Sequence, residues 1–337
     1  MDKVTIRRLA DSELEEFRTF CESAWKSKHP LIHDEQLFEY YYRRDDGLIN
    51  FAVAKDDETG EFLSVCGFIC ASSSPTPDVW ISFIVTKKGA PFGLGFKLLE
   101  QIRTLTSCRT IGCNNIRENT RNLYEFFGYY VGELAQYYRY NDSLRKYTMC
   151  NIVSLDILSI LPSTLEFIEL KSESELKCFN FEDFHENKPY KDRAYAKKRF
   201  FENRGLDYKI YAAKECGHAV ALLVLRVVRH ESSCVVRVVD FIGDTEYVSG
   251  CGQFLDRLMH ELDAEFCDWY AFGVDKSAMA SAGLSLRQKG DINIVPNYLN
   301  PPLMENTDYF FFTSDPSNYT MFKADGDQDR ARLDSLS

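Results

Sequence analysis

No run of apolar residues in this sequence approaches the ~20 that a membrane-spanning helix needs. No two cysteines stand in a C-x-x-C pair, although there are 11, an odd number scattered singly. That argues against a zinc site or a disulfide framework and for a reducing compartment, so the cytoplasm is expected and no metal is expected. Positive charge is also short: 40 Lys and Arg against 51 Asp and Glu leave a formal charge of −11. Such a chain exerts no bulk pull on nucleic acid or on an anionic membrane. No Gly-Lys-Ser/Thr follows any glycine turn, which excludes a Walker phosphate loop. The opening Met-Asp-Lys-Val-Thr-Ile-Arg-Arg reads as a strand and not as a signal peptide.

What is present is material for two cores. The chain has 337 residues, 45% of them apolar and 14% aromatic, comfortable for two domains. Its most informative stretch joins the apolar Trp80, Ile81, Phe83, Ile84 and Val85 to a turn holding Gly93 and Gly95, and then to Phe96, Leu98, Leu99, Ile102 and Leu105 at helical spacing. Glycines there let the backbone come close to a ligand. The first N–H groups of such a helix have no partner within it and, with the helix dipole, form an anion site suited to a pyrophosphate. Downstream, Asn114-Asn-Ile-Arg-Glu-Asn-Thr-Arg-Asn-Leu-Tyr-Glu-Phe-Phe-Gly-Tyr129 reads as an Asn-rich turn and a short helix carrying Tyr124, closed by Gly128.

Together these two segments resemble the GNAT superfamily of acyl-CoA N-acyltransferases. The resemblance implies that acetyl-CoA or another acyl-CoA is the co-substrate, with Gly93, Leu94, Gly95 and Phe96 cradling its pyrophosphate and Asn119, Asn122 and Tyr124 forming the second half of the site. It implies that a backbone N–H near Ile84 or Val85 polarises the thioester carbonyl and that Tyr124 is the acid for the departing thiolate. The residue three before the first glycine departs from the family's Arg or Gln: it is Ala90, followed by an unusual Pro91.

The two halves of the chain read alike. Each has an opening strand (Val4-Thr-Ile-Arg7, Glu166-Phe-Ile-Glu-Leu170), an acidic helical segment, a basic residue–Pro loop, an aromatic-rich helix, two strands and a Gly-x-Gly turn. Lys188 lies 159 residues after His29, Lys214 159 after Lys55, and Gly250 157 after Gly93. The expected architecture is therefore α/β (α+β): two tandem GNAT-like domains, each a mixed central sheet flanked by helices. Residues 1–149 would hold the acyl-CoA site, 163–316 a degenerate copy, and 317–337 an acidic C-terminal tail. The second glycine turn carries Asp244 and Glu246, which disfavour a pyrophosphate, and Met279 stands where Tyr124 does.

Acyl transfer to an amine needs a proton acceptor for the amine, a donor for the developing oxyanion and an acid for the thiolate. His29 is the favoured base, on the stretch that lines the acceptor side in the family; an ordinary imidazole titrates near ~6.5. His33 is a second candidate, and Glu39 and Asp45 are further carboxylates. The ending Asp325-Gly-Asp-Gln-Asp-Arg330 alternates acids as a calcium loop does, but Arg330 and Leu336 stand where such a loop needs Gly and Glu. It is similar to an ending of GNAT-like proteins from bacterial surface-polysaccharide gene clusters, which implies a small-molecule amine, an amino-sugar nucleotide, as acceptor; Arg43, Arg44, Lys188, Lys191 and Arg193 are cations for its phosphates. Rival readings are a non-catalytic CoA-binding scaffold and a FemABX-like aminoacyl transferase, the latter disfavoured by the acidic charge.

Overall fold

The structure, a computed structural model, describes residues 3–25, 28–154, 156–203 and 205–330. The first half of the chain forms strands β1 (Val4–Arg8), β2 (Phe51–Asp56), β3 (Phe62–Cys70), β4 (Val79–Thr86), β5 (Ile111–Ile116), β6 (Tyr130–Glu133) and β7 (Ala135–Tyr140). Its helices are α1 (Leu14–Trp25), α2 (Pro30–His33), α3 (Glu35–Tyr42), α4 (Leu94–Thr106) and α5 (Arg121–Phe126). The second half forms β8 (Glu166–Leu170), β9 (Lys209–Glu215), β10 (His218–His230), β11 (Ser233–Gly243), β12 (Phe266–Phe272), β13 (Ser285–Leu286), β14 (Phe310–Thr313) and β15 (Met321–Phe322). With them come α6 (Arg193–Ala196), which widens into a π-turn over Lys197–Phe201, then α7 (Gly252–Glu261) and α8 (Lys276–Ser281).

The strands make two sheets with one plan. The first runs β1-β2-β3-β4-β5-β14-β6 and the second β8-β9-β10-β11-β12-β7-β13. In each, the fourth and fifth strands are the parallel pair and their other neighbours are antiparallel. The sixth place in each sheet is filled from the other half of the chain. Ala135–Tyr140 lies in the second sheet, between β12 and β13, and Phe310–Thr313 lies in the first, between β5 and β6. Boundaries at 149 and 163 divide the chain but not the sheets.

Apolar faces decide the layering. On the first sheet, Phe17, Cys21, Phe38 and Tyr42 from α1 and α3 pack with Phe51, Val53 and Val65 on one face. Leu94, Leu98, Leu99 and Ile102 from α4 pack with Ala52, Cys66 and Ile81 on the other. The Asp34 carboxylate starts α3 by accepting the Leu37 N–H at 2.9 Å. α7 and α8 cover one face of the second sheet, and its other face meets the first half through Trp80, Leu134, Phe311, Leu222 and Tyr270. The C-terminal stretch is part of this interior: Tyr319, Met321, Phe322, Ala324, Asp325 and Asp327 are all buried. The expectation of a tail from 317 onward is corrected as far as Arg330; residues 331–337, with Leu336, lie outside the described residues. Among the described residues no helix is long and apolar enough to cross a membrane.

Candidate functional site

The first sheet opens at its centre. β4 and β5 are paired only at Val79–Ile111 and Trp80–Gly112, and beyond those pairs they part. Just past the last pair, β4 carries an unpaired residue: Phe83 faces Gly67 and Ile81 faces Phe68, which leaves Ser82 bulged. The bulge is held by a 2.9 Å hydrogen bond between Ser82 Oγ and the Tyr42 hydroxyl. The Lys87 N–H donates to the Leu63 carbonyl, on the β3 side, at 2.8 Å. Antiparallel ladders alternate, so Val85 also turns its N–H to β3, while Ile84 turns its own into the fork. Of the two residues named from sequence, Ile84 is the one whose N–H faces the fork.

The glycine turn borders this fork. Gly93 is left-handed (φ 76°) and is the N-cap of α4; the Leu94 N–H is taken by the Pro91 carbonyl. Among the described residues the N–H groups of Gly95 and Phe96 have no acceptor, the arrangement that receives an anion. A Cβ on Gly95 would come within 3.0 Å of Thr86 Oγ1 and 3.5 Å of Ile84 Cδ1, so this glycine is what lets the helix start lie against the splayed half of β4. The Phe96 ring stacks on Phe127 at 3.7 Å and meets Tyr124 at 5.9 Å, which joins the two sequence motifs in space. Asn119 and Asn122 are exposed and unbonded among the described residues. Tyr124 is half-buried and stacks on Phe312 of β14 at 4.3 Å. Burial raises its phenol well above the ordinary value, so it keeps its proton at neutral pH.

His29 lies on the opposite face of the sheet. Its ring stacks on Trp25 at 4.5 Å, and Trp25 stacks on Phe83 of the splayed strand at 5.2 Å. Its Nδ1 is buried without a partner among the described residues. Burial, reinforced by the Arg330 and His33 charges, brings the imidazole down to about 4. It is therefore neutral at physiological pH, able to accept a proton but a weak base. His33 ends α2. Glu39 is paired with Arg43, and Asp45 lines a separate cavity.

One buried carboxylate on this face escaped the sequence reading. Asp327 pairs with Arg330 at 2.9 Å and accepts from Gln328 Nε2 at 2.9 Å. Burial first, and the Asp327 charge second, raise the Tyr42 hydroxyl and the Cys113 thiol, which stands immediately beyond the last β4–β5 pair. Burial in turn raises Asp327 above the usual carboxylate range. The alternating acids were the only sequence signal, and they read as a failed metal loop. Among the described residues no group of three or more His, Cys, Asp or Glu could hold a metal.

The matching place in the second sheet is closed. β11 and β12 also part, after Val238–Trp269, but β15 fills the gap. Phe322 and Met321 pair with Ala271 and Phe272, and the Ala324 N–H donates to the Val239 carbonyl at 2.9 Å. A Cβ on Gly252 would meet the Ala282 carbonyl oxygen at 2.5 Å and Ile160 at 2.7 Å, and one on Gly250 would meet Leu165 at 2.5 Å. Met279 is buried in the core. The linker and the end of α8 thus cover the second glycine turn.

No protein-family sequence profile matches the chain, and no curated protein is similar to it in sequence. Solved structures do share its fold. A GCN5-related N-acetyltransferase from Anabaena variabilis superposes with a TM-score of 0.56 at 10% identity, over 94% of this chain and 74% of that one. One from Kribbella flavida gives 0.53 at 8% identity over 92% and 70%. A conserved protein of unknown function from Enterococcus faecalis V583 gives 0.52 at 11% over 84% and 70%. The fold is two tandem GNAT-like α/β units, as the paired motifs led one to expect.

Proposed function

We propose that this chain is an N-acyltransferase that moves an acetyl or short acyl group from acyl-CoA to an amine. The observation that carries this reading is the contrast between the forks: the first is open and bordered by free N–H groups, whereas the second is plugged by β15. An acyl-CoA would supply the activated thioester. Gly95 and Phe96 N–H groups would hold its phosphates, and the exposed Asn119 and Asn122 stand on the adjoining helix. Ile84 aims an N–H at the place where a carbonyl oxygen would gain charge. Tyr124, protonated, would be the acid on one face. His29 and Asp327 lie on the other as proton acceptors for the amine, so acid and base approach from opposite sides of the sheet. The acceptor we would screen first is an amino group on a nucleotide-linked sugar.

Calorimetric titration with acetyl-CoA tests this. The wild-type chain is expected to bind in the micromolar range, and Gly93→Ala/Gly95→Trp, which puts bulk against Thr86 and Ile84, to abolish binding without changing the circular dichroism spectrum. Absence of binding by the wild-type chain would sink the reading and leave a scaffold.

A further inference from the structure

A cavity of about 370 Å³ lies between the halves, separate from the fork. It is enclosed by α3 and the loop after it, the end of β3 at Ile69 and Cys70, the helix that begins with α6, and Gly326. Cys70 pairs with Val79, whereas the fork opens toward the far end of β4. In a chain of charge −11, this cavity carries five cations against three carboxylates. Most of these charges are already paired: Arg43 with Asp11 and Glu39, Arg44 with Asp46, and Lys197 with Glu173 and Glu202.

Two neighbouring cations on the π-turn remain, Lys198 and Arg199. Among the described residues Lys198 Nζ donates only to the Arg43 carbonyl, at 2.9 Å. Arg199 donates to the carbonyls of Ala324, Gln328 and Asp329, and its Nη1 is buried with no partner among the described residues. Among the described residues the one lining carboxylate outside an ion pair is Asp45, which with Glu202 is near enough to act on Lys198 but beyond ion-pair distance. Lys198 is half-buried and Arg199 buried, and among the described residues neither has a carboxylate within ion-pair distance, although Asp327 and Asp329 lie near enough to act on Arg199. Withdrawing such cations from water is costly, and π-turns are concentrated at functional sites. Tyr40, Tyr41 and Tyr195 line the same space and offer ring surface. We infer that this cavity binds a small molecule bearing a phosphate group, with Lys198 and Arg199 holding the anion, Arg44 turning to it from its exposed partner Asp46, and the tyrosines holding the ligand's uncharged part. If the acyltransferase reading holds, the ligand is the acceptor, because Gly326 adjoins Asp327; the cavity inference itself does not require it.

The test is calorimetry on the full chain with UDP and inorganic pyrophosphate as probes and uridine as the uncharged control. UDP is expected to bind at least tenfold more tightly than uridine. Lys198→Met and, independently, Arg44→Met should each weaken UDP at least tenfold, while Gly95→Trp leaves it unchanged. Failure of both probes to bind at millimolar concentration, equal affinity for uridine, or loss of UDP only in Gly95→Trp would each overturn the inference. Indifference to both methionine variants would do the same. Acetyl-CoA titrated alongside keeps the two readings apart: UDP binding without acetyl-CoA binding defeats the acyltransferase and keeps the cavity.

Discussion

Tyr124 rests on Phe312, a ring that arrives from the other half of the chain. Tyr124→Phe keeps that stacking and removes only the hydroxyl. If the phenol is the acid, kcat should fall roughly 10²-fold with acetyl-CoA affinity unchanged, as steady-state kinetics beside a titration would show. For His29, the folded value of about 4 lies below the ~6.5 of an unfolded chain. The unfolded chain therefore takes up the proton first. The stabilising contribution is full above about 6.5 and is lost as the pH falls through about 4. Thermal unfolding at pH 7 and pH 5 should show wild type losing more than His29→Phe, which keeps the stack on Trp25. Lys191 sits between Asp240 and Asp325 at 2.5 and 2.6 Å, all three buried. Burial pushes the Asp325 carboxyl up to about 7, although Lys191 pulls it down. Lys191→Met would strand both acids and cost about 3–5 kcal/mol in urea denaturation; Asp325→Asn, which leaves Lys191 its Asp240 partner, should cost less than half as much.

At the scale of elements, two Gly-x-Gly turns with almost the same local sequence setting have different surroundings. The strand–turn–helix was legible at both sites because apolar spacing and glycine are local signals. What covers each turn was not. Ile160, Leu165 and Ala282 reach the second turn from remote parts of the chain, and the β15 plug comes from a stretch whose acids suggested solvent. Gly252→Val should therefore destabilise the fold by about 2 kcal/mol through overpacking, read as a lower thermal midpoint, with acetyl-CoA affinity unchanged. The first-half turn should respond differently, losing ligand while the fold is retained. Which of Ile84 and Val85 turns its N–H into the fork was not readable, because the bulge at Ser82 resets the ladder phase.

For the whole molecule, the duplication was visible in the repeated order of elements, and the layers follow from it. The exchange of β7 and β14 was not, because a strand's own residues name its faces but not its sheet. Residues 1–149 alone would leave β6 without its neighbour β14 and β7 without a sheet. That fragment is expected to aggregate or lack a cooperative unfolding transition, whereas co-expression with 150–337 should restore a folded complex, checked by size-exclusion chromatography and circular dichroism. The exchange also changes what a broken backbone means here. Arg145 and Lys146 are exposed just after β7, so trypsin has a place to cut between the halves. The nicked protein should run as two bands under denaturing conditions and elute as one species under native ones, because each piece already grips the other through a clasp of backbone hydrogen bonds that does not need the tether.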